Sequence, residues 1–214
     1  MPDSLKGPAT AAVVVVVAWA ALHALAAVPA QEKEAKMSAK VLEGKSIVMI
    51  IARQNFRDEE LADPRAVFQE AGAKVTIASS SLQEAVGMLK KVRVKPDLTL
   101  DKVDAKAYDA VVFVGGAGAS EYWNNKTAHR IATEAQAAGK LVCAICIAPV
   151  TLGNAGLLKG KKATCFPSER AQLVKAGANY TGASVEKDGN IITADGPASA
   201  RRFGETIRDA LAAK

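Results

Sequence analysis

The stretch Lys140-Leu-Val-Cys-Ala-Ile-Cys-Ile-Ala-Pro-Val150 decides the fold. It is an apolar run of strand length that ends at Cys146 and leads into a helix pattern opening near Pro149. Ala144 and Ala148 flank the cysteine with small side chains, as a sharp strand-to-helix turn requires. This is the layout of a nucleophile elbow, in which a strained turn lifts one side chain above a parallel sheet. A thiol at that point lies near a helix N-terminus, whose partial positive charge favours thiolate. The plainer reading is a small buried hydrophobe, because free cysteine is among the most buried residue types.

Working outward, other strands have the same unbroken apolar character. Lys45-Ser-Ile-Val-Met-Ile-Ile-Ala52 and Tyr108-Asp-Ala-Val-Val-Phe-Val114 read as strands buried on both faces, and Lys74–Ser79 as a third. Between the first and third lies a helix pattern with Asp63-Pro64 as N-cap and N1 and Gly72 as its stop. Residues 85–104 carry short β-branched runs that suggest a hairpin or an edge excursion. A helix is expected from about Thr127 to Ala138, and another after Cys146 ending near Gly156. Asp188-Gly189 marks a hairpin within Ser184–Thr193. Ala198–Ala213 is helical, with Phe203, Ile207, Ala210 and Leu211 as its apolar stripe. Strands alternating with helices predict an α/β fold, a three-layer α/β/α sandwich with a mostly parallel, flavodoxin-like sheet. In such folds functional groups gather at the carboxyl ends of the strands, where Glu60, Gly115-Gly116 and Cys146 all fall.

The first 30 of the 214 residues differ from the rest. Lys6 precedes an apolar stretch from Ala11 to Val28, closed by small residues at Val28-Pro29-Ala30. This reads as a secretory signal peptide, which implies a periplasmic or secreted protein. The stretch is also close to membrane-spanning length, so an uncleaved leader would be an anchor and the one contact with a membrane. Translation from Met37 would instead give a cytoplasmic form. Residues 31–44 read as a linker and residues 45–214 as one domain.

Net charge is +6, with the basic residues scattered except in Lys90–Lys95 and Lys159–Lys162. Aromatics make up 5% and do not interleave with them, which argues against a nucleic-acid surface. His23 lies in the leader, so His129 is the one histidine left, and it falls on the polar side of its helix. No four-ligand metal spacing exists. Cys143-Ala-Ile-Cys146 matches a dithiol spacing, but Cys143 should sit inside the strand, too far from Cys146 for easy bridging. Cys165 is a candidate partner for Cys146 in an oxidising compartment. Gly116-Ala-Gly-Ala-Ser-Glu121 lacks the last glycine of a dinucleotide fingerprint, so no cofactor is expected.

Five segments, Asp58-Glu-Glu-Leu-Ala-Asp-Pro64, Val112-Phe-Val-Gly-Gly116, Ala144-Ile-Cys-Ile-Ala-Pro149, Leu158-Lys-Gly-Lys-Lys-Ala-Thr164 and Asp188-Gly-Asn-Ile-Ile-Thr-Ala-Asp-Gly-Pro197, come in this order. Together they resemble the ThiJ/PfpI superfamily, which includes the Parkinson-disease deglycase and redox-sensor protein and the PfpI proteases. The resemblance covers nearly everything from Gly44 onward. It implies that Cys146 is the nucleophile and that Glu60, four residues before a proline, hydrogen-bonds its sulfur. Gly115, Gly116 and the N–H of Ile147 would then line an oxyanion hole. Two positions depart from the family. Ile147 stands where protease-like members have histidine, and Phe166 where the deglycase-like branch has one. A Cys–His dyad is therefore unsupported, and peptidase activity with it.

A thiol with an acid partner suits reactive carbonyls. Cysteine adds to an aldehyde as a hemithioacetal while Glu60 shuttles protons, giving glyoxalase- or deglycase-like action on a small carbonyl or a modified protein. The alternatives are a non-enzymatic redox sensor working through Cys146 oxidation, and a chaperone-like oligomer that needs no cysteine. By resemblance the chain is expected to form a homo-oligomer, a dimer or a hexamer.

Overall fold

The computed structural model describes residues 40–214. The expected leader, Met37 and most of the expected linker lie outside the described residues. Residues 40–44, read as linker, instead form turns that belong to the folded body. Leu42 is fully buried, and its N–H donates to Ala71 O at 2.8 Å.

In chain order the elements begin with β1 (Ser46–Ile50), β2 (Gln54–Phe56), α1 (Asp58–Glu70), β3 (Lys74–Ser79), β4 (Ala85–Gly87), β5 (Arg93–Val94), β6 (Leu98–Thr99) and β7 (Ala110–Phe113). They continue with α2 (Lys126–Ala137), β8 (Leu141–Ile145), α3 (Pro149–Asn154), β9 (Lys162–Ala163), α4 (Arg170–Lys175), β10 (Asn179–Tyr180), β11 (Val185–Asp188), β12 (Ile191–Ala194) and α5 (Ala200–Ala212). Seven strands form the main sheet in the order β11-β12-β8-β7-β1-β3-β6. Every pairing is parallel except β11 with β12, the expected hairpin. The 85–104 region supplies both expected alternatives, a β4–β5 hairpin in a small sheet with β2 and an edge strand, β6.

Residues of one strand alternate between two cores. Ile47, Met49, Val112, Cys143 and Ile145 face a layer built with Leu61, Phe68, Phe203 and Ile207 of α1 and α5. Val48, Ile50, Val111, Phe113, Val142 and Ala144 face the opposite layer with Ala128, Ile131 and Ala132 of α2. Burial on both faces is why these strands read as continuous apolar runs rather than alternating ones. The α/β three-layer sandwich with a mostly parallel sheet is thus observed.

Helix ends follow local chemistry. Asn125 caps α2 by accepting the N–H groups of Thr127 and Ala128, and Asn at this position satisfies donors that the first turn leaves free. Gly72, at φ +90°, closes α1: its N–H reaches Gln69 O and that of Ala73 reaches Phe68 O. The start of α1 corrects the sequence reading. The helix begins at Asp58, five residues before the expected Asp63 cap, and Pro64 lies inside it. Asp58, Glu59 and Glu60 place three acids in the first turn, where the helix dipole favours them. Pro64 packs closely against α5, where a Cβ at Gly204 would lie 2.8 Å from Pro64 Cα. That early start is what brings Glu60 into the first turn.

Candidate active site

β8 ends at Ile145, and the next residue makes the turn. Cys146 has φ +65°, one of three non-glycine residues in the left-handed region among the described residues. That conformation costs an L-residue roughly 1–2 kcal/mol and persists only where neighbours hold it. Here the backbone is held on both sides. The Cys146 N–H donates to Ala194 O at 2.9 Å, and Cys146 O accepts the Phe166 N–H at 2.8 Å. The elbow is therefore held by the ends of β8 and β12 and by the loop after β9 rather than by its own helix, since α3 is a short segment of six residues.

Glu60 projects from the first turn of α1 and is fully buried. It meets Cys146 across Gly115, where a Cβ would lie 2.5 Å from Glu60 Oε2 and 2.6 Å from Cys146 Cβ. Only a glycine at the end of β7 leaves room for this approach. The Cys146 thiol and the Gly115 N–H face the carboxyl and favour its charged form. Neither reaches ordinary hydrogen-bond geometry, so both carboxyl oxygens are buried without a partner. Burial accordingly pushes the Glu60 carboxyl up from an ordinary 4.5 to about 7.

Burial also pushes the Cys146 thiol up, to about 12, and the negative charge of Glu60 adds to the effect. The N–H groups of Gly116 and Ile147 face the sulfur and act in the opposite direction. The two titrations are linked, because a protonated Glu60 withdraws the repulsion and presents an O–H to the sulfur. Of the three residues expected to line an oxyanion hole, Gly115 turns its N–H toward Glu60, while Gly116 and Ile147 turn theirs toward Cys146.

Two neighbours were not singled out by sequence reasoning. Arg57 donates its backbone N–H to Gly115 O at 2.9 Å, pinning the start of α1 to the end of β7. Its guanidinium holds Glu59 through Nε at 2.7 Å and Nη2 at 3.2 Å. Glu59 therefore stays outside the site, paired with Arg57. Asp58 turns away from the thiol and accepts the N–H groups of Leu89, Lys91 and Val92 at 2.8, 3.0 and 2.7 Å. Burial raises its pKa, but the three donors together outweigh that and leave it below the usual carboxylate range. No spacing in the sequence reveals a partner loop some thirty residues downstream.

Asp58→Ala leaves three loop N–H groups without their acceptor and should destabilise the protein by about 2–3 kcal/mol at pH 7. The depressed pKa means that this contribution is present above the unfolded carboxyl's ordinary 3.8 and is lost as pH falls. Urea unfolding checks it, and a loss below about 0.5 kcal/mol, the range of an ordinary surface change, would contradict the assignment.

The remaining candidates fall elsewhere. Cys143, Cys146 and Cys165 are all free, so the Cys146–Cys165 link is absent. Cys146 packs in the layer of α1 and α5 and Cys165 in the opposite layer. His129 lies on α2, with Nε2 2.9 Å from Trp123 O.

The comparisons agree with this geometry. The DJ-1/PfpI family model matches residues 45–210. A protein of Methanocaldococcus jannaschii is 44% identical over 184 residues, covering 85% of this chain and 86% of its own length. A deglycase of Pyrococcus horikoshii is 35% identical over 151 residues, 71% of this chain and 90% of its own. The solved structure of a ThiJ/PfpI domain protein from Brachyspira murdochii superposes with a TM-score of 0.77 at 31% identity, covering 79% of this chain and 97% of that one. A match over most of the described chain, with the elbow and its glycines in place, assigns this chain to the DJ-1/PfpI family.

Proposed function

We propose that the protein is a cysteine-dependent enzyme acting on reactive carbonyls, with Cys146 as nucleophile and Glu60 as proton shuttle. The observation that carries this reading is a buried carboxyl, raised to about 7, set against a cysteine on a strained elbow. A carboxyl that titrates near neutrality is suited to give and take a proton in turn. The deglycase names of the relatives from Pyrococcus horikoshii and Pyrococcus furiosus support the same class of chemistry.

The substrate this chemistry fits is a 2-oxoaldehyde. The Cys146 thiol passes its proton to Glu60 as the sulfur attacks the aldehyde carbon, a C–S bond forms, and the carbonyl oxygen then takes that proton from Glu60 to give a hemithioacetal. Glu60, now ionised, removes the hydrogen on that carbon. The electron pair forms a carbon–carbon double bond and the neighbouring carbonyl becomes an enediolate. The proton of the first hydroxyl passes to that oxygen, Glu60 returns its proton to the neighbouring carbon, and the product is a 2-hydroxyacyl thioester. Water then cleaves the thioester, releasing a 2-hydroxy acid and the thiol. The N–H groups of Gly116 and Ile147 are placed to stabilise negative oxygen beside the sulfur.

The test is lactate formation from methylglyoxal without glutathione. Cys146→Ser should lower turnover by a factor of roughly a thousand or more, because the intermediate needs a competent nucleophile. Absence of turnover by protein whose Cys146 is reduced and intact would overturn the proposal.

A further inference from the structure

Four of the five phenylalanines, Phe56, Phe68, Phe113 and Phe203, are at most 1% exposed. Phe166 is 41% exposed, and its position is tied to the elbow. Its N–H donates to Cys146 O at 2.8 Å, and Pro167 follows at once, opening a short helical turn. The residue is thus held on one side by the nucleophile's own backbone and on the other by a proline, whose ring fixes φ.

Its side chain is placed as firmly. The ring lies against Gly196, where a Cβ would be 3.3 Å from Phe166 Cδ2 and 3.7 Å from Cε2. Gly196 is two residues beyond Ala194, whose carbonyl accepts the Cys146 N–H. The elbow, Phe166 and Gly196 therefore meet at one end of the sheet, with the exposed ring lying on Gly196. A phenyl ring neither gives nor takes a proton. What it offers there is an apolar face, which water covers when no ligand does.

We propose that Phe166 is a specificity-determining wall that selects carbonyl substrates carrying an aromatic or bulky apolar group next to the reacting aldehyde, arylglyoxals as a class, over methylglyoxal. The proposal rests on the reading of Cys146 as the nucleophile. Contact between the substrate's apolar group and the ring lowers KM, while the chemistry at Cys146 and Glu60 is the same for both substrates. Apolar pockets of this kind discriminate by roughly 10- to 200-fold.

Initial rates with phenylglyoxal and methylglyoxal test it on the full chain. The protein should favour phenylglyoxal in kcat/KM by at least about tenfold. Phe166→Ala should abolish that preference through a raised KM for phenylglyoxal, and Phe166→Leu should keep part of it. Equal losses on both substrates would show a merely structural residue and overturn the proposal. A second readout needs no turnover: the rate of Cys146 alkylation by N-benzyl iodoacetamide relative to iodoacetamide. That ratio should fall roughly tenfold in Phe166→Ala with the iodoacetamide rate unchanged. A fall in the ratio without turnover on either dicarbonyl would keep the wall and reject the enzymatic reading. An unchanged ratio would reject the wall whatever the turnover.

Discussion

Glu60→Gln is expected to stabilise the protein by about 3 kcal/mol at pH 8 and to leave it unchanged near pH 4, while removing most of its activity. The folded carboxyl holds its proton up to about 7, whereas the same group in the unfolded chain releases it near 4.5. Between these values the folded state binds the extra proton, so stability falls as pH rises through the window and the full cost is present above pH 7. The gap of about 2.5 between the two pKa values sets the size, at 1.36 kcal/mol for each. Gln has the same shape and never ionises, so it escapes the cost. For a domain of this length the gain corresponds to roughly 6–12 °C in Tm at pH 8.

Turnover should fall by 10²- to 10³-fold, the usual range for loss of a positioned acid and base. Melting curves at pH 4 and pH 8 check the first half, and a pH-independent difference would contradict it. A companion variant separates the two forms of Glu60. Glu60→Leu removes the proton donor, so alkylation of Cys146 by iodoacetamide at pH 7 should slow about tenfold. Faster alkylation would mean that the ionised carboxylate suppresses the thiolate more than the protonated one supports it.

Gly115→Ala is the second large effect, and it comes from space alone. Its new methyl would stand 2.5 Å from Glu60 Oε2, 2.6 Å from Cys146 Cβ and 2.6 Å from Ile145 O. The last of these is the backbone carbonyl at the end of β8 and cannot yield cheaply. Overpacking of this kind costs about 1–3 kcal/mol, and relief must come from moving Glu60 or Cys146. Either movement spoils the pair, so alkylation and turnover should each drop by more than tenfold. Gly189→Ala in the β11–β12 turn is the control, since nothing lies within 4 Å of its Cβ position and only its φ of +62° resists substitution. It should lose stability without touching Cys146 reactivity. A Gly115→Ala protein with unaltered alkylation would show that the two side chains do not share this ground.

Much of this was legible in the chain. Cys146 could be placed at a strand end because β8 is apolar throughout and flanked by alanines, a local pattern. The hairpin at Asp188-Gly189 and the stripe of Phe203, Ile207, Ala210 and Leu211 were equally local, and all four stripe residues are buried. The start of α1 was not. Asp63-Pro64 carries a cap-and-proline signal, yet the helix starts at Asp58, with three acids in its first turn and Pro64 inside it.

By itself, then, the sequence determined the layered α/β architecture, the order of its strands along the chain and the cysteine at the elbow, because hydrophobic period and turn chemistry act between near neighbours. Family resemblance points to Glu60, but only the tertiary structure gives the physical reason why it, of three adjacent acids, meets the thiol. Asp58 is claimed by the N–H groups of Leu89, Lys91 and Val92, Glu59 by Arg57, and Glu60 alone is buried beside Cys146 with no partner. The same long-range packing put Cys165 and Cys146 in opposite layers and laid Phe166 on Gly196. Such choices depend on desolvation and on contacts between residues far apart in the chain, which no spacing rule encodes.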